Sequence, residues 1–217
     1  MPTQVEETLM ITRWHFVRHA PVATLREAGA VVYDTHDEPA DVSDTPAFQA
    51  LAGFLPKNAV WVTSPLMRAV QTADAIADAG LAPAERLADE RLAEQHYGAW
   101  HGMTMEALKA TLAGRPRHKT WFTTAADQPP GGESFVTQAA RVRAAMDQLT
   151  ARFAGRPIVA VAHGGTIRAA LAHALGIDLD RALTISVDNL STTRIDHVPG
   201  EGIGGDWRLV YTNRRAG

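Results

Sequence analysis

Pro157-Ile158-Val159-Ala160-Val161-Ala162-His163-Gly164-Gly165 runs an unbroken apolar segment into a glycine turn. A strand reads this way when both of its faces are covered, the situation of a parallel strand inside an α/β sheet. The glycine pair predicts a sharp turn, and the stretch 166–175 behind it reads as a helix. Strand, turn and helix in that order predict half of a βαβ unit, with His163 at the carboxyl end of its strand.

Outward from this stretch the same grammar returns. Arg13-Trp14-His15-Phe16-Val17-Arg18 is rich in aromatic and β-branched residues and predicts a first strand that ends at His19. Ala59-Val60-Trp61-Val62-Thr63 predicts another. Behind it, Ser64-Pro65 offers a hydroxyl cap and a proline at the first position of a helix running to about 79, where Gly80 stops it. Shorter helices are expected over 46–54, capped by Asp44 or Thr45, and over 104–112. Beyond Gly131-Gly132-Glu133-Ser134, the residues Phe135, Ala139, Val142, Met146, Leu149 and Phe153 recur at helical steps and mark the core face of a long helix. Strands near 183–187, 190–196 and 207–212 are expected to close the chain. The fold class predicted is α/β: a three-layer sandwich, a mostly parallel central sheet with helices on both faces, forming one domain over 1–217 behind a loose leader at 1–12.

Composition removes whole classes of chemistry. There is no cysteine, so disulfides, thiolate metal sites and cysteine nucleophiles are out, and a reducing cytoplasm is the expected location. A net charge of -3 gives no basic excess for nucleic acid. No apolar run approaches the ~20 residues a membrane helix needs, and the first ten residues lack the pattern of a signal peptide. The lysines are Lys57, Lys109 and Lys119, none behind a glycine, so a Walker loop is excluded. No Gly-x-Ser-x-Gly elbow is present.

What remains is a constellation at strand ends. In open α/β sheets, working residues gather beyond the carboxyl ends of the strands. His19 and His163 both stand there if their strands are parallel. Arg18 is adjacent to His19, and Arg68 lies in the first turn of the helix behind Ser64. Helix amino termini, including that at Gly164, add free amides and positive dipole ends. Two imidazoles, two guanidiniums and such amides suit a phosphoryl group, whose oxygens match guanidinium forks.

With these residues in view, the chain resembles the histidine phosphatase superfamily, in its phosphoglycerate mutase-like branch 1, and is similar to the α-ribazole phosphatases. The resemblance rests on Val17-Arg18-His19-Ala20, on Thr63-Ser64-Pro65-Leu66-Met67-Arg68-Ala69-Val70-Gln71-Thr72-Ala73, on Glu94-Gln95-His96-Tyr97-Gly98-Ala99-Trp100-His101-Gly102, on Pro130-Gly131-Gly132-Glu133-Ser134 and on Val161-Ala162-His163-Gly164-Gly165. It implies a phosphomonoesterase acting on a small phosphorylated metabolite, with His19 as the nucleophile that becomes phosphohistidine. Arg18, Arg68, His163 and Gly164 would complete the phosphate pocket, and Glu94 would be the general acid and then the base. It implies no metal and no cofactor, and a homodimer is common among such relatives. The chain departs from the family pattern at Ala20-Pro21-Val22-Ala23-Thr24, where many members read Gly-Glu-Thr; Thr24 is the residue left to touch phosphate. His101 stands where many phosphatases of the branch have Glu. Tyr97, Trp100 and His101 are expected to line the substrate pocket.

Plainer readings compete at several positions. His15 and His19 lie four apart on a strand, about 13 Å between side chains, too far to share a metal; His15 is a core histidine. His36, His118, His173 and His197 default to the surface. Glu133 and Ser134 are features of a helix start, and Arg115, Arg117, His118 and Lys119 are the one basic cluster able to hold a second anion. Two other functions are open at this level: a phosphoglycerate mutase-like phosphoryl transferase, and a non-catalytic module that binds a phospho-ligand.

Overall fold

Alternation along three short strands builds the molecule. The structure is a computed structural model that describes residues 10–23, 31–32 and 37–216. Its strands are β1 (Thr12–Arg18), β2 (Val31–Val32), β3 (Val60–Thr63), β4 (Glu85–Ala88), β5 (Met103–Thr104), β6 (Pro157–Ala162), β7 (Thr192–His197) and β8 (Trp207–Arg214). The helices are α1 (Thr45–Phe54), α2 (Met67–Asp78), α3 (Met105–Thr111), α4 (Phe135–Arg152), α5 (Gly164–Leu175) and α6 (Leu179–Ala182). Six strands form one sheet in the order β4-β3-β6-β1-β7-β8, while β2 and β5 pair separately. The pairings β4–β3, β3–β6 and β6–β1 are parallel; β1–β7 and β7–β8 are antiparallel.

Successive side chains of a strand point to opposite faces. Trp14, Phe16, Val60, Val62, Ile158 and Ala160 face one way and meet Phe135, Val142, Met146 and Leu149 of α4 and Ile167, Ala170 and Leu171 of α5. Val17, Trp61, Val159 and Val161 face the other way and meet Phe48 and Leu51 of α1 and Ala69, Ala73 and Ile76 of α2. This is the sandwich expected, and the periodic face of 135–153 is its core. A small separate cluster of Tyr97, Trp100, Leu108 and Leu112 sits under the 97–112 segment. Among the described residues no helix is long and apolar enough to cross a membrane.

Local predictions are corrected at three places. Asp44 caps α1 as expected, accepting from the Ala47 amide, but α2 begins at Met67 with no side-chain cap. The segment 183–187 forms no strand, because its carbonyls face guanidiniums rather than a neighbouring strand. In its place β4 forms the sheet edge, a strand that sequence reading passes over because every second side chain is exposed.

Candidate active site

Register brings the two histidines together. Arg18 of β1 is opposite Ala162 of β6, and Thr63 of β3 is opposite Val161. The pairing continues one step past the strands: the His19 amide donates to the Ala162 carbonyl at 2.9 Å, and the Ser64 amide donates to the Val161 carbonyl at 3.0 Å. His19, His163 and Ser64 therefore leave three adjacent parallel strands at one level. The imidazole centroids of His19 and His163 are 5.0 Å apart, tilted at 56°. His163 Nε2 lies 2.7 Å from the Ser64 hydroxyl, whose oxygen also accepts from the Leu66 amide at 3.2 Å just before α2.

The His19 ring is poised by its surroundings. Its Nδ1 is 2.6 Å from the Ala20 carbonyl oxygen. A carbonyl only accepts, which assigns the proton to Nδ1 and the lone pair to Nε2. Burial holds the pKa of His19 well below its ordinary value, and the positive charges of Arg68 and Arg18 push in the same direction; the Ala20 carbonyl opposes them. Sequence reading anticipated the charges, yet desolvation is the larger cause. Thr72 steadies this turn by accepting from the Ala20 amide at 2.9 Å and donating to the Arg68 carbonyl at 2.7 Å.

The segment 185–191 aims Arg18. The Val187 carbonyl accepts from an Arg18 terminal nitrogen at 2.5 Å, while Arg18 Nε is buried and meets no partner among the described residues. Asn189 donates to the His19 carbonyl at 2.8 Å. Arg68, buried in the first turn of α2, completes the cationic wall with Arg18.

Glu94 arrives from a different part of the chain and is held by three N–H donors. Its Oε1 accepts from the Gln95 amide at 3.0 Å and from Gln138 at 2.9 Å, and its Oε2 accepts from the Gly165 amide at 3.2 Å. Oε1 is thus doubly engaged and Oε2 singly. A side chain at Gly165 would overlap Glu94 Oε1 and stand 2.8 Å from Gln138 Oε1, so only glycine permits the contact. Arg141 fastens the segment below by donating to the carbonyls of Arg91 at 2.7 Å, Ala93 at 2.8 Å and Glu94 at 3.2 Å, and it pairs with Glu133 at 2.5 Å. Glu133 is therefore an ion-pair partner as well as part of a helix start, and Ser134 caps α4.

Arg18, His19, Arg68, Glu94, His163 and Gly164 thus converge. Tyr97 lines a cavity of about 210 Å³ together with Arg18, Glu94, Gly164 and Arg168. Trp100 does not: it is buried in the small cluster with Leu108 and Leu112, where its indole has more apolar contact than an open pocket offers. His101 is spent on the turn, its Nε2 accepting from the Tyr97 amide at 3.2 Å. Thr24 and His36 lie outside the described residues. The basic cluster is partly consumed, with Arg115 paired to Asp127 at 3.3 Å and His118 bonded to the Asp180 carbonyl at 2.8 Å. Sequence reading missed Gln138, Arg141, Thr72 and Asn189 as site residues. They are common polar residues lying 44 or more positions from most of what they hold; Thr72 falls inside the 63–73 stretch, but no local pattern shows what any of them holds.

Comparison with known proteins agrees with this geometry. A sequence model of the histidine phosphatase superfamily (branch 1) matches residues 15–211. A glucosyl-3-phosphoglycerate phosphatase of Mycolicibacterium vanbaalenii is 35% identical over 169 residues, covering 71% of this chain and 73% of the relative. A 2,3-bisphosphoglycerate-dependent phosphoglycerate mutase of Gloeobacter violaceus is 35% identical over 116 residues, 52% of each chain. The native structure of a mycobacterial glucosyl-3-phosphoglycerate phosphatase superimposes with a TM-score of 0.75 at 29% identity, over 94% of this chain and 99% of that one. Its complex with inorganic phosphate gives a TM-score of 0.71 at 28% identity, over 94% and 98%. The chain belongs to the histidine phosphatase superfamily, branch 1, and is a phosphomonoester hydrolase.

Proposed function

We propose that the protein hydrolyses the phosphate ester of a small metabolite through a phosphohistidine on His19, without a metal ion. The observation that carries this reading is the His19 ring: buried, its Nδ1 on the Ala20 carbonyl, its second nitrogen left for phosphorus, and a second imidazole 5.0 Å away. In the first step Nε2 attacks phosphorus and the ester P–O bond breaks. Glu94 gives its proton to the departing alkoxide. In the second step Glu94 takes a proton from water, the water oxygen attacks phosphorus, and the P–N bond breaks to restore neutral His19. Arg18, Arg68, His163 and the amides at the start of α5 hold the equatorial oxygens and stabilise the charge that grows on them. A similar structure solved in complex with inorganic phosphate supports phosphate as a ligand of this fold.

The mutase relative keeps transfer between two hydroxyls as a second reading. The two separate in one assay: 3-phosphoglycerate is supplied with and without 2,3-bisphosphoglycerate, and phosphate release is compared with isomer formation. The proposal expects phosphate release, unaffected by a chelator and absent in His19→Ala. Isomer formation without release would select the mutase, and loss of activity on chelation would overturn the metal-free mechanism.

A further inference from the structure

Arg18 is held by a turn that is itself strained and tethered from the edge of the sheet. The turn spans 188–191 and closes with the Ser191 amide donating to the Asp188 carbonyl at 3.1 Å. It continues the β1–β7 pairing past the end of β7. The Arg18 amide donates to the Ser191 carbonyl at 3.1 Å, and the Leu190 amide donates to the Arg18 carbonyl at 3.0 Å. The Val187 carbonyl takes one terminal nitrogen of Arg18, and Asn189 holds the His19 carbonyl. Arg18 Nε then faces the start of α5, 3.6 Å from where a Cβ on Gly164 would stand. The aim of this guanidinium therefore depends on where the turn sits.

The turn is not relaxed. Leu190 has φ of 58°, a left-handed value that turns ordinarily give to glycine or asparagine. A bulky side chain keeps such a value when its surroundings enforce it. Leu190 packs against the cluster that contains Val17 and Val161, which offsets part of the cost. A cavity of about 450 Å³, lined by Arg18, Asp188, Asn189 and Leu190 among others, leaves the turn without packing on that side. Asn213 supplies the missing tie. Its Oδ1 accepts from the Asp188 amide at 2.6 Å, and its Nδ2 donates to the Asp188 carboxylate at 3.2 Å. The carboxylate is exposed and screened by solvent, so the bond to the amide is the one that fixes the backbone. Asn213 lies near the end of β8 with φ of 50°, and the register of β8 against β7 slips between Thr192 and Arg194. A bulge of this kind re-aims a side chain, and asparagine takes a left-handed backbone more readily than most residues. Of the three described non-glycine residues at positive φ, Asn58, Leu190 and Asn213, two serve this one turn.

We propose that Asn213 is a positioning residue for the phosphoryl site: by tying the Asp188 end of the turn, it holds Arg18 in the orientation that meets the phosphoryl oxygens. This rests on the phosphatase reading above, in which Arg18 binds phosphate. The test uses the full chain and Asn213→Gly, which accepts the left-handed backbone and removes the side-chain tie. Inorganic phosphate, titrated calorimetrically, should bind the variant about fivefold or more weakly, the scale of one lost hydrogen bond. The ratio kcat/KM should fall by a similar factor for glycerol phosphate and for p-nitrophenyl phosphate, because both present the same phosphoryl group. A mere loss of folded enzyme would lower kcat and leave phosphate affinity as it was. A second measurement needs no variant. In the unmodified protein the Asp188 amide, although its residue is exposed, should exchange with deuterium about tenfold or more slowly than an unprotected amide. Unchanged phosphate affinity in Asn213→Gly, a loss confined to one of the two esters, or an unprotected Asp188 amide overturns the proposal. An unmodified protein that neither binds phosphate nor cleaves either ester would instead overturn the phosphatase reading itself.

Discussion

At the scale of the residue the proposed mechanism rests on a single imidazole, and its neighbours were legible to different degrees. Arg18, His19, Arg68 and His163 could be read from sequence because each stands at a strand end or helix start whose position the apolar pattern gives. Ser64 was misread because Ser-Pro has the local signature of a cap; only the register of β3 against β6 shows that its hydroxyl faces His163. Gln138 escaped because nothing in a helix interior marks a glutamine as the partner of a distant carboxylate. Two outcomes follow at this scale. Glu94→Gln should slow glycerol phosphate by about 100-fold or more yet p-nitrophenyl phosphate by less than about tenfold, since a good leaving group needs little protonation. Equal slowing in steady-state assays would remove Glu94 from the role of acid. Gly165→Ala should reduce turnover of alkyl phosphates by about tenfold or more while the melting temperature shifts little. The added methyl displaces the Glu94 carboxylate from its donors and leaves the α5 helix intact.

The elements explain why blocks far apart in sequence act together. The segment 94–102 and the segment 129–133 touch backbone to backbone: the Ala99 amide donates to the Pro130 carbonyl at 2.8 Å, and the Glu133 amide donates to the His96 carbonyl at 2.9 Å. A side chain at Gly98 would overlap the Pro130 carbonyl, and one at Gly132 would overlap that of His96. Gly98 also has φ of 47°, in the left-handed region. Sequence shows these glycines as motif marks but not as one contact, because the pairing is long-range. Gly98→Val should therefore cost about 2 kcal/mol or more of unfolding free energy in a denaturant titration. Arg141→Met acts on the same unit, releasing the carbonyls that fix the Glu94 segment. It is expected to lower kcat on alkyl phosphates more than it raises KM, and an unchanged kcat would show that the segment needs no such clamp.

Across the whole molecule, two buried histidines tie stability to pH. Burial lowers the pKa of His15 to about 4, with the charges of Arg194 and Arg13 acting alongside and Asp196 opposing; His19 is lowered as well. Both rings are neutral in the fold but bind protons in the unfolded chain below about pH 6.5. Unfolding therefore takes up protons in that range, and stability falls as pH drops from 6.5 toward 4. His15 alone accounts for about 2–3 kcal/mol of that loss. Asp89 and Asp196, whose carboxyls are held below their ordinary value of 3.8, add to it only at lower pH. Denaturant unfolding at pH 7 and pH 4.5 should show the decline, and His15→Met should remove the His15 share and leave that of His19. The architecture was legible almost whole, because three apolar strands ending in Arg-His, Thr-Ser and His-Gly leave little choice of class. The sheet order was not, since placing β6 between β3 and β1 depends on packing that no local window contains.

Rapid acid-free quenching of the enzyme with a phosphate ester labelled at phosphorus tests the central claim most directly. The prediction is one covalent phosphoryl group per chain, labile in acid and stable in base, formed faster than turnover and absent in His19→Ala. Turnover without any such species, an acid-stable adduct, or undiminished labelling in His19→Ala would contradict it.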